Sequence, residues 1–417
     1  MKTIKTIVLG AGQRGNAYGD FGLAQPAKMR IVGVAEPDEV RREDFRVKHG
    51  LNHEECFKSW EEVLGREKWA DAVIIATQDN LHHAPAMAAI AKRYDILLEK
   101  PISPNPAECL EIANAARNAG VRVVVCHVLR YTPFFFKIKE IIDSGQIGRV
   151  VSIVHNENVG DLHHAHSFVR GNWGRTDVSS PMILAKSCHD TDIIQWLAGS
   201  ACQRLSSFGS LTYFTKDNMP PGAPKRCTDG CKEDCPYDAR KNYLYSSNEW
   251  FRSVAAGYFN PSDDDVELAL KTGPYGRCVF QCDNDVVDHQ VVSMEFEDGV
   301  TAIFSMSSFT PDISRSVKIM GTKGQIKGHT ACKSIVVSRF ADRSEREIKV
   351  EAAGGHDGGD FGIMGAFCAY LRGEISSVNI SEIQISAQNH MISFAAEKSR
   401  LNNGAVVELG GFDAKSY

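Results

Sequence analysis

The segment Ile4–Leu9 leads directly into Gly10-Ala11-Gly12-Gln13-Arg14-Gly15, a G-x-G-x-x-G pattern. An apolar strand that ends in this pattern and then opens a helix is typical of dinucleotide-binding α/β domains. Gly10 permits the tight turn, Gly12 lets a pyrophosphate approach the backbone, and Gly15 allows the helix and the sheet to pack closely. We therefore expect the turn, with Gln13 and Arg14, to bind a dinucleotide.

An acidic residue, Glu36, follows the second predicted strand, Met29–Ala35. A carboxylate at this position accepts hydrogen bonds from both adenosine ribose hydroxyls and repels a 2′-phosphate. The sequence therefore favours NAD over NADP as the cofactor. Arg41 and Arg42 lie soon afterwards and keep NADP as an alternative.

Residues 1–127 alternate strand-like and helix-like segments, which predicts a doubly wound α/β domain with a parallel sheet. After residue 128 the predicted strands follow one another more closely, which predicts an α+β domain over 128–417 with a mainly antiparallel sheet. A Cys- and Pro-rich stretch at 216–242 has no periodicity and reads as an insertion. Helices predicted at 361–400 could pack on either sheet.

The composition restricts the partners. The 417 residues carry 47 Lys and Arg against 52 Asp and Glu, a net charge of −5, so no general positive field would hold nucleic acid or an anionic membrane. The sequence has no apolar run of membrane-spanning length and no signal peptide pattern at its start, so we expect a cytoplasmic protein.

Five segments carry a resemblance to a known family. They are GAGQRG at 10–15, IIATQDNLHHAPAMAAI at 74–90, LLEKPIS at 97–103, HVLRYTP at 127–133 and KSCHDTDIIQWL at 186–197. Together, and in this order, the chain resembles the Gfo/Idh/MocA oxidoreductases. The resemblance implies a Rossmann domain, a second domain with a large, mostly antiparallel sheet, NAD in the cleft between them, a sugar or cyclitol substrate, and a homo-oligomer, either a dimer or a tetramer.

The resemblance also implies roles for residues. Lys100 and His189 would move the proton during hydride transfer. Cyclitol dehydrogenases of the family carry an Asp four residues before this histidine, whereas this chain has Ala185 there and Lys186 next to it, so Lys186 is a further catalytic candidate. Cofactor contacts are expected from Thr77, Asn80, His82, Glu99 and Lys100, and substrate contacts from Arg130, Tyr131 and Asp192.

Polar clusters in the second half supply further candidates. A segment at 161–175 combines hydrogen-bonding and aromatic side chains that suit a sugar, namely His163, His166, Arg170 and Trp173. His289 and His356 lie in Asp- and Gly-rich segments, and at least one of them is expected at the site. Cys227, Cys231 and Cys235 form C-x₃-C-x₃-C, which fits structural zinc, free packed thiols or a redox disulfide.

Three functions remain open. The first is NAD-dependent oxidation of a secondary hydroxyl of a sugar, glycoside or cyclitol, or reduction of the corresponding ketone. The second is redox-neutral glycoside cleavage through a transient 3-keto sugar, which needs more acid and base groups than one proton transfer. The third is a non-catalytic sensor of NAD or sugar on the same fold.

Overall fold

The computed structural model describes residues 2–351 and 353–410. The first sheet has six strands in the order β3-β2-β1-β4-β5-β6, and every pair is parallel. Its strands are β1 Ile4–Leu9, β2 Met29–Ala35, β3 Cys56–Phe57, β4 Ala72–Ile75, β5 Asp95–Leu98 and β6 Val123–Val125. This order, with its switch between β1 and β4, confirms the predicted Rossmann architecture and directs a ligand to the carboxyl ends of those strands.

Helices follow the strands as the alternating pattern predicts. They are α1 Gln13–Ala24, α2 Glu39–His49, α3 Trp60–Leu64, α4 His83–Ala91, α5 Pro106–Ala119, α6 Pro133–Asp143, α7 Asp161–His164, α8 Met182–Ala185, α9 Cys188–Ala198, α10 Glu249–Ala256, α11 Asp263–Thr272, α12 Gly359–Leu371 and α13 Ile383–Leu401. Alternate residues of β1 enter two different cores: Ile7 and Leu9 face one, and Ile4 and Val8 the other. The first sheet is therefore covered on both faces, as parallel sheets usually are.

The second sheet has nine strands in the order β14-β13-β12-β11-β7-β10-β9-β8-β15. They are β7 Val150–Asn158, β8 Cys202–Ser210, β9 His289–Phe296, β10 Thr301–Ser307, β11 Ser314–Gly321, β12 Gly324–His329, β13 Ser334–Arg339, β14 Glu345–Lys349 and β15 Val407–Glu408. All pairs are antiparallel except β7 with β10. This large, mostly antiparallel sheet confirms the expected α+β second half.

In the part of the chain that the structure describes, one face of the second sheet is covered and the other is not. Helices α6, α9 and α13 contact the covered face, where Ile153, Phe304 and Val292 are buried. On the other face Phe208, Val291 and Ile303 remain exposed. The paired register of Phe208 with Val291 places these two side chains next to each other on the uncovered face.

The predicted insertion forms a small unit with its own apolar clusters. Residues 216–242 contain little regular structure, as expected, and helices α10 and α11 follow them. Tyr243, Phe251 and Tyr275 pack in one of these clusters, and Phe214 and Phe280 in another. The insertion and the helices after it therefore form an ordered unit beside the second sheet.

The last helices join the two sheets. Residues Ile363 and Phe367 of α12 enter a core of the first sheet. Helix α13 contributes Ala387 to the other core of the first sheet and Ile392 to the core of the second. The amide of Val125 in β6 donates to the carbonyl of Ser381, just before α13. The helices predicted at 361–400 thus return to the first domain as well as packing on the second sheet.

None of the helices in the described part of the chain is long and apolar enough to cross a membrane.

Candidate active site

The turn after β1 has the features of a phosphate cradle. Gly10 has φ +93°, and a Cβ on Gly15 would lie 2.0 Å from the carbonyl oxygen of Gly10, so both positions require glycine. A Cβ on Gly12 would meet no atom within 4 Å, so the space beside it is open. Helix α1 begins here without a side-chain cap, which leaves its N-terminal amides available to an anion. These residues fit a dinucleotide pyrophosphate.

Glu36 lies at the end of β2 beside this cradle. Its Oε2 accepts a hydrogen bond from the Ala11 amide at 2.8 Å, and its Oε1 accepts one from the Asp38 amide at 3.0 Å. Each carboxylate oxygen can accept a further bond, so the pair still fits ribose hydroxyls. The Arg42 guanidinium donates to the carbonyls of Glu36 and Pro37 and is therefore engaged by the backbone. The donor set fits NAD.

The side chain of Arg14 points into a buried ionic network. Its Nε donates to Glu99 at 2.7 Å, and its Nη2 donates to Asp360 of α12 at 2.7 Å. Tyr18 also donates to Glu99. Burial alone would raise the pKa of Glu99, but the charges of Arg14 and Lys100 hold this pKa below its usual value. The sequence predicted Arg14 and Glu99 as cofactor contacts. In the structure their side chains bind each other, and Arg14 also binds Asp360, which links the cradle to the second half of the chain.

Lys100 lies just after β5, at the edge of the sheet where ligands bind in such folds. Its Nζ donates to the carbonyl of Ala185 at 2.8 Å, and its amide donates to Glu99 at 2.8 Å. Residue 185 is the position at which cyclitol dehydrogenases of the family carry an Asp. In this chain the backbone carbonyl of Ala185, and not an Asp side chain, binds Lys100. Lys100 is partly exposed, so its ammonium group can also reach a ligand.

His189 begins the buried helix α9 close to Lys100. Its side chain is almost fully buried, and its Nδ1 has no hydrogen-bond partner among the described residues. Its ring lies 5.9 Å from the ring of His127 and 6.4 Å from that of His356, measured between centroids. Burial, and then the charge of Lys100, hold the pKa of His189 well below its usual value. A neutral imidazole suits a proton acceptor.

Lys186 faces a buried carboxylate, Glu157 of β7. Its Nζ lies 4.0 Å from Glu157 Oε1, which also accepts a bond from Arg315. Ser187 donates to the other oxygen of Glu157 at 2.7 Å. Burial lowers the pKa of Lys186 to about 8 and raises the pKa of Glu157 to about 7. The site therefore contains a second acid–base pair, and the sequence pattern gave no sign of Glu157.

Three residues expected in the cleft are engaged elsewhere. Asp192 accepts a two-pronged bond from Arg130, with both distances at 2.6 Å, and both side chains are buried. The Tyr131 hydroxyl contacts Ser381 at 2.9 Å and so docks the start of α13. The sequence placed Arg130, Tyr131 and Asp192 at the substrate, but the structure uses them to join α9, α13 and the segment after β6.

The loop after β4 divides into buried and exposed parts. His82 is fully buried, and its two ring nitrogens lie 2.7 Å from the carbonyl of Pro101 and 3.1 Å from that of Thr77. The Thr77 hydroxyl donates to Leu81. Asn80 is exposed. His82 therefore holds this loop against the one that carries Lys100. Of the three candidates Thr77, Asn80 and His82, Asn80 and the partly exposed Thr77 are open to a cofactor.

The polar segment at 161–175 is mostly built into the insertion. The His166 ring stacks on Phe251 at 4.4 Å, and Arg170 donates to the carbonyls of Tyr237 and Arg277. Both side chains are buried. Buried polar groups need hydrogen-bond partners, and these two side chains and the insertion supply them to each other. The sequence assigned His166 and Arg170 to substrate binding, and the structure assigns them to packing.

Trp173 and His163 have different surroundings. The Trp173 indole donates to Asp79 at 3.1 Å, and Ser179 donates to the same oxygen at 2.9 Å, which bridges the two halves of the chain. His163 lies 5.5 Å from Trp250, measured between ring centroids. Burial, and then the charge of Lys186, hold the pKa of His163 well below its usual value. Trp250 is partly exposed and was missed, because nothing in the sequence places residue 250 beside residue 163.

The structure separates the two remaining histidines. His356 lies near His189 and Arg14, and its Nδ1 contacts Asp360 at 3.0 Å. His289 contacts Asp288 at 2.8 Å and pairs with Ser307 across the sheet. Strand side chains alternate between faces, so His289 lies with Val291 on the uncovered face, opposite the active-site side. His356 belongs to the candidate site and His289 does not.

A cavity of about 290 Å³ adjoins His356. Its lining combines apolar and polar side chains, among them Phe134, Phe135, Arg315, Thr330, Lys333, His356 and Asp357. Ligand pockets commonly have such a mixed lining. The cavity extends the site away from Lys100.

The cysteine cluster does not have the form of a metal site. All twelve cysteines are free thiols. Among the described residues, no three His, Cys, Asp or Glu side chains are arranged to hold one metal ion. Cys227, Cys235 and Cys278 instead pack in the apolar clusters around the insertion, and together with Cys231 they line one small cavity. The structure favours packed thiols at Cys227, Cys231 and Cys235.

Comparisons with known proteins cover most of the chain. The model of an oxidoreductase family with an NAD-binding Rossmann fold, Gfo/Idh/MocA, matches residues 4–127, and the model of the Gfo/Idh/MocA C-terminal domain matches residues 135–327. The Bacillus subtilis oxidoreductase YteT is 28% identical over 70% of this chain and 70% of its own length.

Two further relatives differ in how much of this chain they match. Inositol 2-dehydrogenase 1 of Saccharopolyspora erythraea is 26% identical over 49% of this chain and 57% of its own length. A levoglucosan dehydrogenase, solved with NADH and L-sorbose, is 18% identical with a TM-score of 0.72 over 98% of this chain and 99% of that chain. At that identity the structural likeness shows the fold.

Proposed function

The chain belongs to the Gfo/Idh/MocA oxidoreductase family, with its NAD-binding domain, and from this premise we propose that it oxidises a secondary hydroxyl of a sugar, glycoside or cyclitol, or reduces the corresponding ketone. The observation that carries the proposal is the position of Lys100: its Nζ binds the carbonyl of Ala185, four residues before His189, and its amide donates to Glu99, the carboxylate that Arg14 of the cradle also binds. The inositol and levoglucosan dehydrogenases among its relatives support this substrate class.

The proposed roles follow from position and charge. NAD held by the glycine turn and Glu36 would supply the hydride acceptor for the reacting carbon. Lys100 hydrogen-bonds the reacting hydroxyl, and the neutral His189 accepts its proton, so the oxygen becomes a carbonyl as the hydride leaves. Glu36 binds the adenosine ribose and Gly12 admits the pyrophosphate. The cavity beside His356 holds the rest of the substrate.

The test is a panel of sugars, glycosides and cyclitols, including inositol and levoglucosan, incubated with NAD or NADP and followed by absorbance of the reduced cofactor. We expect NADH formation with at least one compound and a preference for NAD. Binding of NAD without turnover on any compound would contradict the proposal and favour the sensor function.

Redox-neutral glycoside cleavage is a second candidate, because the Lys186–Glu157 pair supplies an acid and a base beyond Lys100 and His189. This reaction needs separate groups to remove a carbon-bound proton and to protonate the leaving group. Release of nitrophenol from nitrophenyl glycosides without net NADH would identify it. Net NADH formation in proportion to product would exclude it.

A homo-oligomer is part of the proposal. The uncovered face of the second sheet exposes Phe208, Val291 and Ile303, and contiguous apolar patches of this kind commonly mark protein interfaces. A second copy of the chain is the proposed occupant, in accord with the resemblance.

A further inference from the structure

Oxidation of a carbinol releases one proton for each hydride transferred: the C–H bond gives its hydride to NAD, and the O–H bond gives its proton to the protein. In the proposed function, on which this inference rests, that proton goes to His189. His189 is only 6% exposed, and burial and the neighbouring Lys100 disfavour its protonated form. The proton therefore cannot remain there and needs an acceptor that reaches water.

His356 has the position for that acceptor. Its side chain is 43% exposed, and its ring centroid lies 6.4 Å from that of His189, a gap that one water molecule or substrate hydroxyl can bridge. Asp360 Oδ1 lies 3.0 Å from its Nδ1. A carboxylate there favours the tautomer with the proton on Nδ1 and leaves Nε2 as the exchanging atom.

The loop that carries His356 is held in an unusual conformation. His356 and Asp357 have φ of +47° and +52°, between Gly354 and Gly358 with φ of +90° and +88°. A Cβ on Gly355 would lie 2.3 Å from Asp360 Oδ2. Such conformations cost energy and tend to occur at functional sites. Here the conformation holds the imidazole between Asp360 and the cleft.

The charged groups around His356 come from five parts of the chain. Asp360 lies on α12, Asp357 is its neighbour in the loop, and Arg14 Nη1 of α1 lies 3.4 Å from Nδ1. Arg315 of β11 and Lys333, just before β13, line the same cavity. Asp360 accepts bonds from both Arg14 and His356, so its carboxylate is shared between them. His356 is thus placed among charges of both signs and keeps access to solvent.

We propose that His356, held by Asp360, carries the proton released at His189 to solvent. His189 passes the proton through the bridging water or hydroxyl to Nε2 of His356, and the His356 ring then releases a proton to bulk water. Both groups return to their starting state, and the net products are ketone, NADH and one proton.

The test is a rapid-mixing single turnover in weak buffer with the best substrate of the panel, in which NADH absorbance and a pH-indicator dye are followed together. The variant is His356→Asn, because Asn tolerates a positive φ but does not titrate. In the unaltered protein, proton release should keep pace with NADH formation. In the variant, it should fall roughly tenfold or more behind, and added imidazole should restore it.

His289→Asn is the matched control, since His289 is equally exposed, also contacts an Asp, and lies on the opposite face of the second sheet. It should release protons at the normal rate. Proton release that keeps pace with NADH in His356→Asn, or a delay that imidazole does not remove, would overturn the inference. Absence of NADH formation by the unaltered protein with every compound would instead overturn the proposed function and, with it, this inference.

Discussion

Lys100 lies where the loop after β5 meets the end of α8. Its Nζ is already held by the Ala185 carbonyl, so the ammonium group has a fixed direction before a substrate arrives. Fixing a group in advance reduces the entropy that the reaction must otherwise lose. The backbone therefore does here what a carboxylate side chain at residue 185 would do in relatives that carry Asp.

Lys100→Met should lower the rate of NADH formation by roughly 10² to 10⁴, because a positioned proton-transfer group contributes about that much. NAD affinity, measured by calorimetry, should change little, since the phosphate cradle is formed by other residues. The control is Lys137→Met, which removes an exposed lysine paired with Glu140. Full turnover by Lys100→Met would remove this residue from the mechanism.

The Lys186–Glu157 pair makes a prediction about pH. In glycoside cleavage, where the pair supplies the additional acid and base, Lys186 accepts a proton only when it is neutral. Because burial lowers its pKa to about 8, its contribution to that reaction should rise as the pH passes through that region. Glu157 favours the charged form of Lys186. Glu157→Gln removes this effect, so the pKa of Lys186 should fall further and the rising limb of kcat/KM should move to lower pH.

The control for this measurement is Glu295→Gln, an exposed carboxylate paired with Arg204 far from the site. It should leave the pH profile unchanged. An unchanged limb in Glu157→Gln would exclude Lys186 as the titrating group.

The roles of Lys100 and His189 follow from the family resemblance and stay predictions, whereas several other candidates have buried partners that sequence could not reveal. Arg130 and Asp192 have side chains that suit a sugar site, but 62 positions separate two groups that form one buried ion pair. Sequence spacing gives no information about such a pairing. His166 and Arg170 were assigned to substrate for the same reason: Arg170 binds Tyr237 of the insertion, and His166 stacks on Phe251 of α10, which follows it.

At the scale of elements, regular alternation was the reliable signal. Most strands and helices around the first sheet were predicted, because each buried strand is a short apolar run between helical patterns, but the short β3 and α3 were missed. In the second sheet, the two-residue β15 was missed, and so were β8, β12 and β14. Their sequences, CQRLSSFGS, GQIKGH and EREIK, contain few apolar residues, because β14 is largely exposed and the other two have one face away from the core. Such strands depend on their neighbours' hydrogen bonds more than on their own composition.

The turn between β1 and α1 makes an element-level prediction. Gly15→Ala should destabilise the fold by about 1 to 3 kcal/mol, because the new methyl group would overlap the Gly10 carbonyl. Gly12→Ala is its matched partner, since a methyl group there meets nothing. It should keep the stability of the fold and weaken NAD binding. Chemical denaturation and NAD titration would separate the two effects, and normal NAD affinity in Gly12→Ala would contradict the cradle.

For the whole molecule, the uncovered face of the second sheet predicts association. We expect a dimer or tetramer by light scattering, and Val291→Lys should shift it towards the monomer, because burying an unpaired ammonium group in an apolar interface is costly. Val40→Lys, at an exposed position on α2, should leave the mass unchanged. A monomeric unaltered protein would contradict this prediction.

Helix α13 supplies residues to cores on both sheets, and the segment before it pairs with β6. Its position has a consequence for biosynthesis. A ribosome produces all six strands of the Rossmann sheet long before residue 383, so part of the surface of the nascent nucleotide-binding domain stays uncovered until α13 has been made. The two domains are therefore expected to reach their final state together, once α13 is available, instead of one after the other.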